Sequence, residues 1–143
     1  MLRTEKQVAL DTVINSGLRS IDHYCRVGES IQDEQTGTLL DKLARERKKL
    51  IDKLAPKMYK LGDMPSSPDP EKLAVEEIFT RIKAAFSEDE KNELLASLDE
   101  IDSQLMQDID EAFRLDFDEE TMAILRELQA SAAGARKKRE RIY

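Results

Sequence analysis

Three residues with chemically capable side chains stand side by side in this chain: His23, Tyr24 and Cys25, of which His23 is the sole histidine and Cys25 the sole cysteine. A base beside a thiol raises the question of nucleophilic chemistry. On a helix, however, consecutive side chains point about 100° apart, so these three cannot converge on one reacting atom. Their expected places are structural: His23 at the surface or its boundary, Tyr24 in the core with its hydroxyl near the edge, and Cys25 as a small buried apolar group. With one cysteine there is no disulfide within a single chain and no thiolate-rich zinc site.

Carboxylates are the second candidate chemistry. A helical bundle binds a pair of metal ions when two of its helices each carry Glu-x-x-His and face inward. In this chain Glu46 is followed at the third place by Lys49, Glu127 by Ala130, and His23 is preceded at that distance by Ser20. A protonated amine and a methyl group do not ligate cations. No cofactor is therefore expected, and the alternative is a reduced site in which Glu46, Glu100 and Glu127 hold iron or manganese through oxygen alone. The pairs Asp108, Asp110 and Asp116, Asp118 lack the glycine and terminal glutamate of a calcium loop and read as solvated helix faces. No glycine-rich phosphate loop or nucleophile elbow occurs. No catalytic residue is assigned.

The third candidate is a cluster of cations, Arg136, Lys137, Lys138, Arg139 and Arg141. These residues could engage a phosphate surface or an acidic protein, and they equally suit the negative end of a helix dipole. Charge is unevenly divided along the chain. Residues 1–61 carry 12 Lys/Arg against 9 Asp/Glu, residues 62–135 carry 6 against 20, and residues 136–143 carry 5 against 1. The acidic middle disfavours nucleic acid as a general partner and favours association, within one bundle or between copies.

The elements that must position these groups are helical. Charged residues make up 37% of the chain and apolar ones 40%, with five Gly and no Trp, a mix suited to long amphipathic helices. Leu10, Ile14, Gly17, Ile21, Tyr24, Gly28 and Ile31 alternate steps of four and three, predicting a first helix over 5–31. Gly17 and Gly28 interrupt good helix formers, which predicts close approach of a neighbour at both levels. The polar stretch 32–38 is expected to be a connection. A second helix follows through Leu40, Leu43, Leu50, Leu54, Met58 and Leu61, with Arg47 on its apolar stripe, either paired with a distant acid or reaching outward along its stem. Pro56 predicts a kink or restart near Ala55.

Residues 62–70 read as a linker, after which Asp69 and Pro70 open a short third helix carrying Leu73, Val75, Ile78, Phe79, Ile82, Ala85 and Phe86. Ser87 and Glu90 form a capping-box pattern ahead of Leu94, Leu98, Ile101, Leu105, Ile109 and Phe113. Asp116 or Asp118 caps a last helix through Met122, Leu125, Leu128 and Ala132. The small residues from Ala130 to Ala135 invite a close helix contact. The expected fold is all-α: an antiparallel four-helix bundle with one additional short helix, forming a single domain over 1–143. No stretch of about 20 apolar residues and no apolar signal core is present, so a cytoplasmic protein away from membranes is expected.

These segments, VINSGLRSIDHYCRVGESI, LLDKLARERKKLIDKL, a linker with a short helix and a long last pair, resemble the uncharacterised bacterial ferritin-like four-helix-bundle domains. The resemblance spans nearly the whole chain. It implies a ferritin-like fold, a role in stress physiology and no assigned reaction. Only Asp22 or Glu29, Glu46, Glu100 and Glu127 could stand where ferritin relatives place metal-binding Glu and His. The leading functional expectation is a non-enzymatic bundle acting through protein association, as a homo-oligomer or with another protein. Divalent-metal binding by the reduced carboxylate set is the second.

Overall fold

A computed structural model describes residues 2–66, 77–82 and 84–141. Four long helices and one short one appear in the order α1 Glu5–Ser30, α2 Glu34–Lys60, α3 Glu77–Arg81, α4 Glu88–Ala112 and α5 Glu119–Glu140. Among the described residues the only β-type pairing is an isolated bridge between Ile31 and Ala85. None of their helices is long and apolar enough to cross a membrane.

Local caps explain most of the boundaries. Thr4 and Gln7 form a reciprocal capping box that starts α1. At α4 the Ser87 hydroxyl accepts from the Glu90 N–H, and at α5 Asp118 accepts from Thr121 at 2.7 Å. The 32–38 stretch is not a connection as expected. Asp33 accepts from the Gln35 N–H and from the Thr36 hydroxyl, so α2 begins at Glu34 and includes Gly37. The helix also runs through Pro56 to Lys60 without the restart expected at Ala55. Asp69, Pro70, Leu73 and Val75 lie outside the described residues. Phe86, expected on an apolar stripe, is 81% exposed because the chain has left α3 and runs toward the α4 cap.

Helix α1 packs on α2 and on α4, and α5 packs on the same two, which puts α1 and α5 at opposite corners. A Cβ built on Gly17 would lie 2.2 Å from Ile51 Cδ1, the close approach expected there. Around Gly28 the contacts are ordinary, with Gly37 O and Leu40 Cβ both at 3.8 Å. Buried apolar side chains form two clusters. One contains Leu10, Ile14, Ile51, Leu105, Leu125 and Leu128; the other contains Val27, Leu40, Leu43, Leu94, Leu98 and Ile101. Where the clusters meet, the stripes of α2 and α4 carry charges instead: Arg47 and Asp102.

Candidate functional site

Each long helix contributes one side chain to this charged junction: Tyr24 from α1, Arg47 from α2, Asp102 from α4 and Arg139 from α5. Their relative exposures are 0%, 1%, 5% and 2%. Arg47 Nη1 donates to Asp102 Oδ1 at 2.6 Å, and Arg139 Nη1 donates to Asp102 Oδ2 at 3.1 Å. The Tyr24 hydroxyl donates to the same Oδ2 and accepts from Arg139. Arg139 Nη2 reaches Asp99, a half-exposed carboxylate at the edge. Both guanidiniums also stand over the Tyr24 ring, at 4.7 Å for Arg47 and 5.5 Å for Arg139.

Electrostatics follow from this enclosure. Burial alone opposes the charge on Arg47, but Asp102 and Tyr24 outweigh it and hold its pKa above the usual guanidinium value. Burial likewise opposes the Arg139 charge, and Tyr24 and Asp102 reverse the balance. The Tyr24 phenol is pushed well up, first by burial and then by the Asp102 charge, so it stays protonated and serves as a donor. Beside the junction, His23 Nε2 lies 2.7 Å from Ser97 Oγ, whose own hydroxyl donates to the Leu94 carbonyl at 2.5 Å. Ser97 therefore accepts, and His23 carries its proton on Nε2. The imidazole packs on Phe79 with centroids 4.9 Å apart, and Arg26 covers the same Phe79 ring at 4.2 Å. Burial, reinforced by Arg26 and opposed by Asp102, lowers the His23 pKa to about 4.

Several expectations are corrected here. His23 is buried, not at the boundary, because Ser97 supplies an acceptor inside the core. Tyr24 is in the core, but its hydroxyl points to Asp102 in the interior and not to the edge. Cys25 is exposed on the outward side of α1, and its thiol pKa is raised by partial burial and then by Asp41, Asp22 and Glu29. Asp108 is buried on α4, where Ser16 and Gln104 bond to it and desolvation raises its pKa; Asp118 is a helix cap. Arg47 takes the paired alternative, with Asp102 as the distant acid.

The proposed metal carboxylates do not gather. Glu46 is half-exposed, with Lys138 Nζ at 4.0 Å, while Glu100 and Glu127 are exposed. Glu127 lies three turns of α5 from Lys138, about 16 Å along the axis. Among the described residues no group of three or more His, Cys, Asp or Glu is placed to hold a metal ion. Of the terminal cations, Arg136, Lys137, Lys138 and Arg141 are exposed, and Arg136 meets Glu140 at 3.2 Å. Arg139 is not a surface residue: it continues the apolar stripe of Leu125, Leu128, Ala132 and Ala135 inward. That spacing was a readable signal. Asp102 offered a similar one, since it follows Ile101 within the Leu98 to Leu105 stripe.

A second polar knot holds the chain leaving α2. Asp11 accepts from the Ser66 N–H at 2.8 Å, from the Ser66 hydroxyl at 2.6 Å and from Arg3 at 2.9 Å, while Arg3 also meets Asp63 at 2.5 Å. Burial opposes the Asp11 charge, yet Ser66 and Arg3 together hold its carboxyl below the usual range.

Comparison of the chain with family models, curated proteins and solved structures yields no match.

Proposed function

We propose that this chain is an antiparallel, ferritin-like bundle that works by protein association and not by catalysis. The carrying observation is the four-helix junction of Tyr24, Arg47, Asp102 and Arg139. In a metal-binding bundle the inward groups at such a level are carboxylates and imidazoles. Here two of the four are guanidiniums, which repel a cation and knit the helices together.

Contact order supports the topology. Along α1 and α2 the partners are Gln7 with Leu61, Gly17 with Ile51 and Gly28 with Gly37, so numbers rise on one as they fall on the other. The same inverse order relates α1 to α4 through Ser16 with Asp108 and His23 with Ser97. It relates α2 to α5 through Glu46 with Lys138 and Lys57 with Glu120, and α4 to α5 through Asp99 with Arg139 and Asp110 with Gln129. In this reading α2 and α4 run the same way, so the end of α2 and the start of α4 lie at opposite ends of the bundle. One long crossover between such ends distinguishes ferritin-like bundles from simple up-and-down ones.

Surface charge supports association. Exposed Lys42, Lys49 and Lys53 line α2, and Lys138 joins them from α5 beside Glu46. Asp89, Glu93, Glu100 and Glu111 line the outward stripe of α4 at the opposite corner. A basic strip and an acidic strip on one molecule complement those of a second copy. Light scattering at low salt is expected to give a mass above the monomer's 16.4 kDa, falling to it as salt rises, with Lys42→Glu/Lys49→Glu monomeric throughout. A monomer mass at every concentration and salt would sink the self-association reading.

A further inference from the structure

Helix α3 is five residues long, too short to hold a helical conformation by itself, so contacts with the bundle keep it in place. Those contacts lie on one side. Ile78 and Ile82 are buried in the cluster that contains Val27, Ile31, Leu94 and Leu98, and half-buried Phe79 packs against it. Just beyond, the Ala85 N–H donates to the Ser30 carbonyl at 2.8 Å. Facing outward, Arg81 meets Glu93 at 2.5 Å, an exposed pair that contributes little.

Beneath this cover sits the sole histidine. The His23 ring is 3% exposed, with Phe79 of α3 on one side and Ser97 of α4 bonded to Nε2 on the other. The neutral ring suits the place, but a second proton would add a cation where the charges are already set. From its own helix, Arg26 stands 4.2 Å from the centroid of the same Phe79 ring, with Asp22 beside it at 4.0 Å. From α4, Asp102 attracts the proton but already accepts from Arg47 of α2, Arg139 of α5 and the Tyr24 hydroxyl. From α3, Arg81 is turned away to Glu93. An imidazolium would therefore share one aromatic ring with a guanidinium, out of reach of water. Lifting α3 takes Phe79 away and admits water, while the Asp102 pairs, which join the long helices, stay made.

We propose that α3 is an acid-released cover: protonation of His23 favours a state in which α3 lifts from α1 and α4 while the four long helices remain packed. The sign follows from linkage. With α3 closed, the His23 pKa is lowered from 6.5 to about 4, so the closed state binds fewer protons and falling pH favours opening. For an open ring that titrates at 6.5, the opening equilibrium rises about 30-fold from pH 7.5 to pH 5 and changes little above pH 7.

Amide hydrogen exchange on the full chain reads the opening, once corrected for the intrinsic pH dependence of exchange. The Ile82 N–H, bonded to the Ile78 carbonyl, and the Ala85 N–H report on α3, while the Leu105 and Leu128 N–H groups report on the bundle. Protection of Ile82 and Ala85 is expected to lie below that of Leu105 and Leu128 at pH 7.5 and to fall about 30-fold by pH 5, whereas His23→Gln holds it constant. Equal protection in α3 and the bundle, protection in α3 that ignores pH, or a pH dependence that survives His23→Gln overturns the proposal. Phe79→Ala gives a second readout even if His23→Gln does not fold. With the covering ring removed, the His23 resonances are expected to titrate close to 6.5, and a ring that still titrates near 4 overturns the proposal.

Discussion

Arg47 and Asp102 meet at 2.6 Å across the middle of the bundle, linking α2 to α4, two helices that otherwise pack chiefly on α1 and α5. One carboxylate thus serves two guanidiniums, and the roles of the three charges are unequal. Asp102 is the common counter-ion, so its loss strands Arg47 and leaves Arg139 with only the half-exposed Asp99, whereas loss of Arg47 leaves the Arg139 pairs in place.

Asp102→Asn is accordingly expected to destabilise the fold by about 3–5 kcal/mol, the range seen when one partner of a buried pair is removed. Arg47→Leu should cost less, since it also removes Nε and Nη2, two buried donors with no hydrogen-bond partner among the described residues. Urea unfolding of both variants measures the difference. A larger loss for Arg47→Leu than for Asp102→Asn would refute this ordering.

Tyr24→Phe keeps the ring beneath the two guanidiniums and deletes only the hydroxyl that links Asp102 with Arg139. Hydrogen bonds to charged groups contribute about 1.5–3 kcal/mol, so a loss within that range is expected in the urea midpoint. The Arg47→Leu/Tyr24→Phe double variant should lose a different total from the sum of the singles, because both touch the same carboxylate.

Much of this fold was legible in the amino-acid sequence. The apolar stripe from Leu10 to Ile31 gave α1 to within a residue, and Ser87 and Asp118 are the caps their types and positions suggested. What failed to show was the identity of partners across the bundle. Sequence periodicity places Arg47 on an inward stripe but says nothing of which helix faces it, so Asp102 as its acid emerges only in three dimensions. His23 illustrates the same limit. Its burial depends on Ser97, 74 positions away, accepting a hydrogen bond from its ring N–H. Asp33 shows a different one: a polar, glycine-containing stretch reads as a turn until a cap recruits it into the helix.

Gly17→Ala places a methyl carbon into Ile51, a β-branched side chain only 2% exposed and held by the surrounding core. Better helix propensity offsets about 1 kcal/mol, while overpacking costs typically 1–3 kcal/mol. A net loss is expected in thermal or urea unfolding. Combining the change with Ile51→Val, which removes the nearest carbon, should recover part of it.

The last prediction concerns acid. His23 has its folded-state pKa lowered from 6.5 to about 4, so between those values the unfolded chain binds the proton that the folded chain refuses. Its contribution to stability is therefore complete above about pH 6.5, declines as pH falls toward 4, and is lost below that. A shift of this size corresponds to about 3 kcal/mol. The carboxylates Asp11, Asp33, Asp63 and Asp118 also have lowered values, but their losses begin near the ordinary carboxylate range, below most of the His23 window. His23→Gln retains a donor for Ser97 and cannot titrate. The difference between the two stability curves should accordingly be steep from pH 6.5 to 4 and flat outside it. A parallel pair of curves across that window would mean that the imidazole accepts its proton in the folded chain, with Asp102 outweighing both burial and the Arg26 charge.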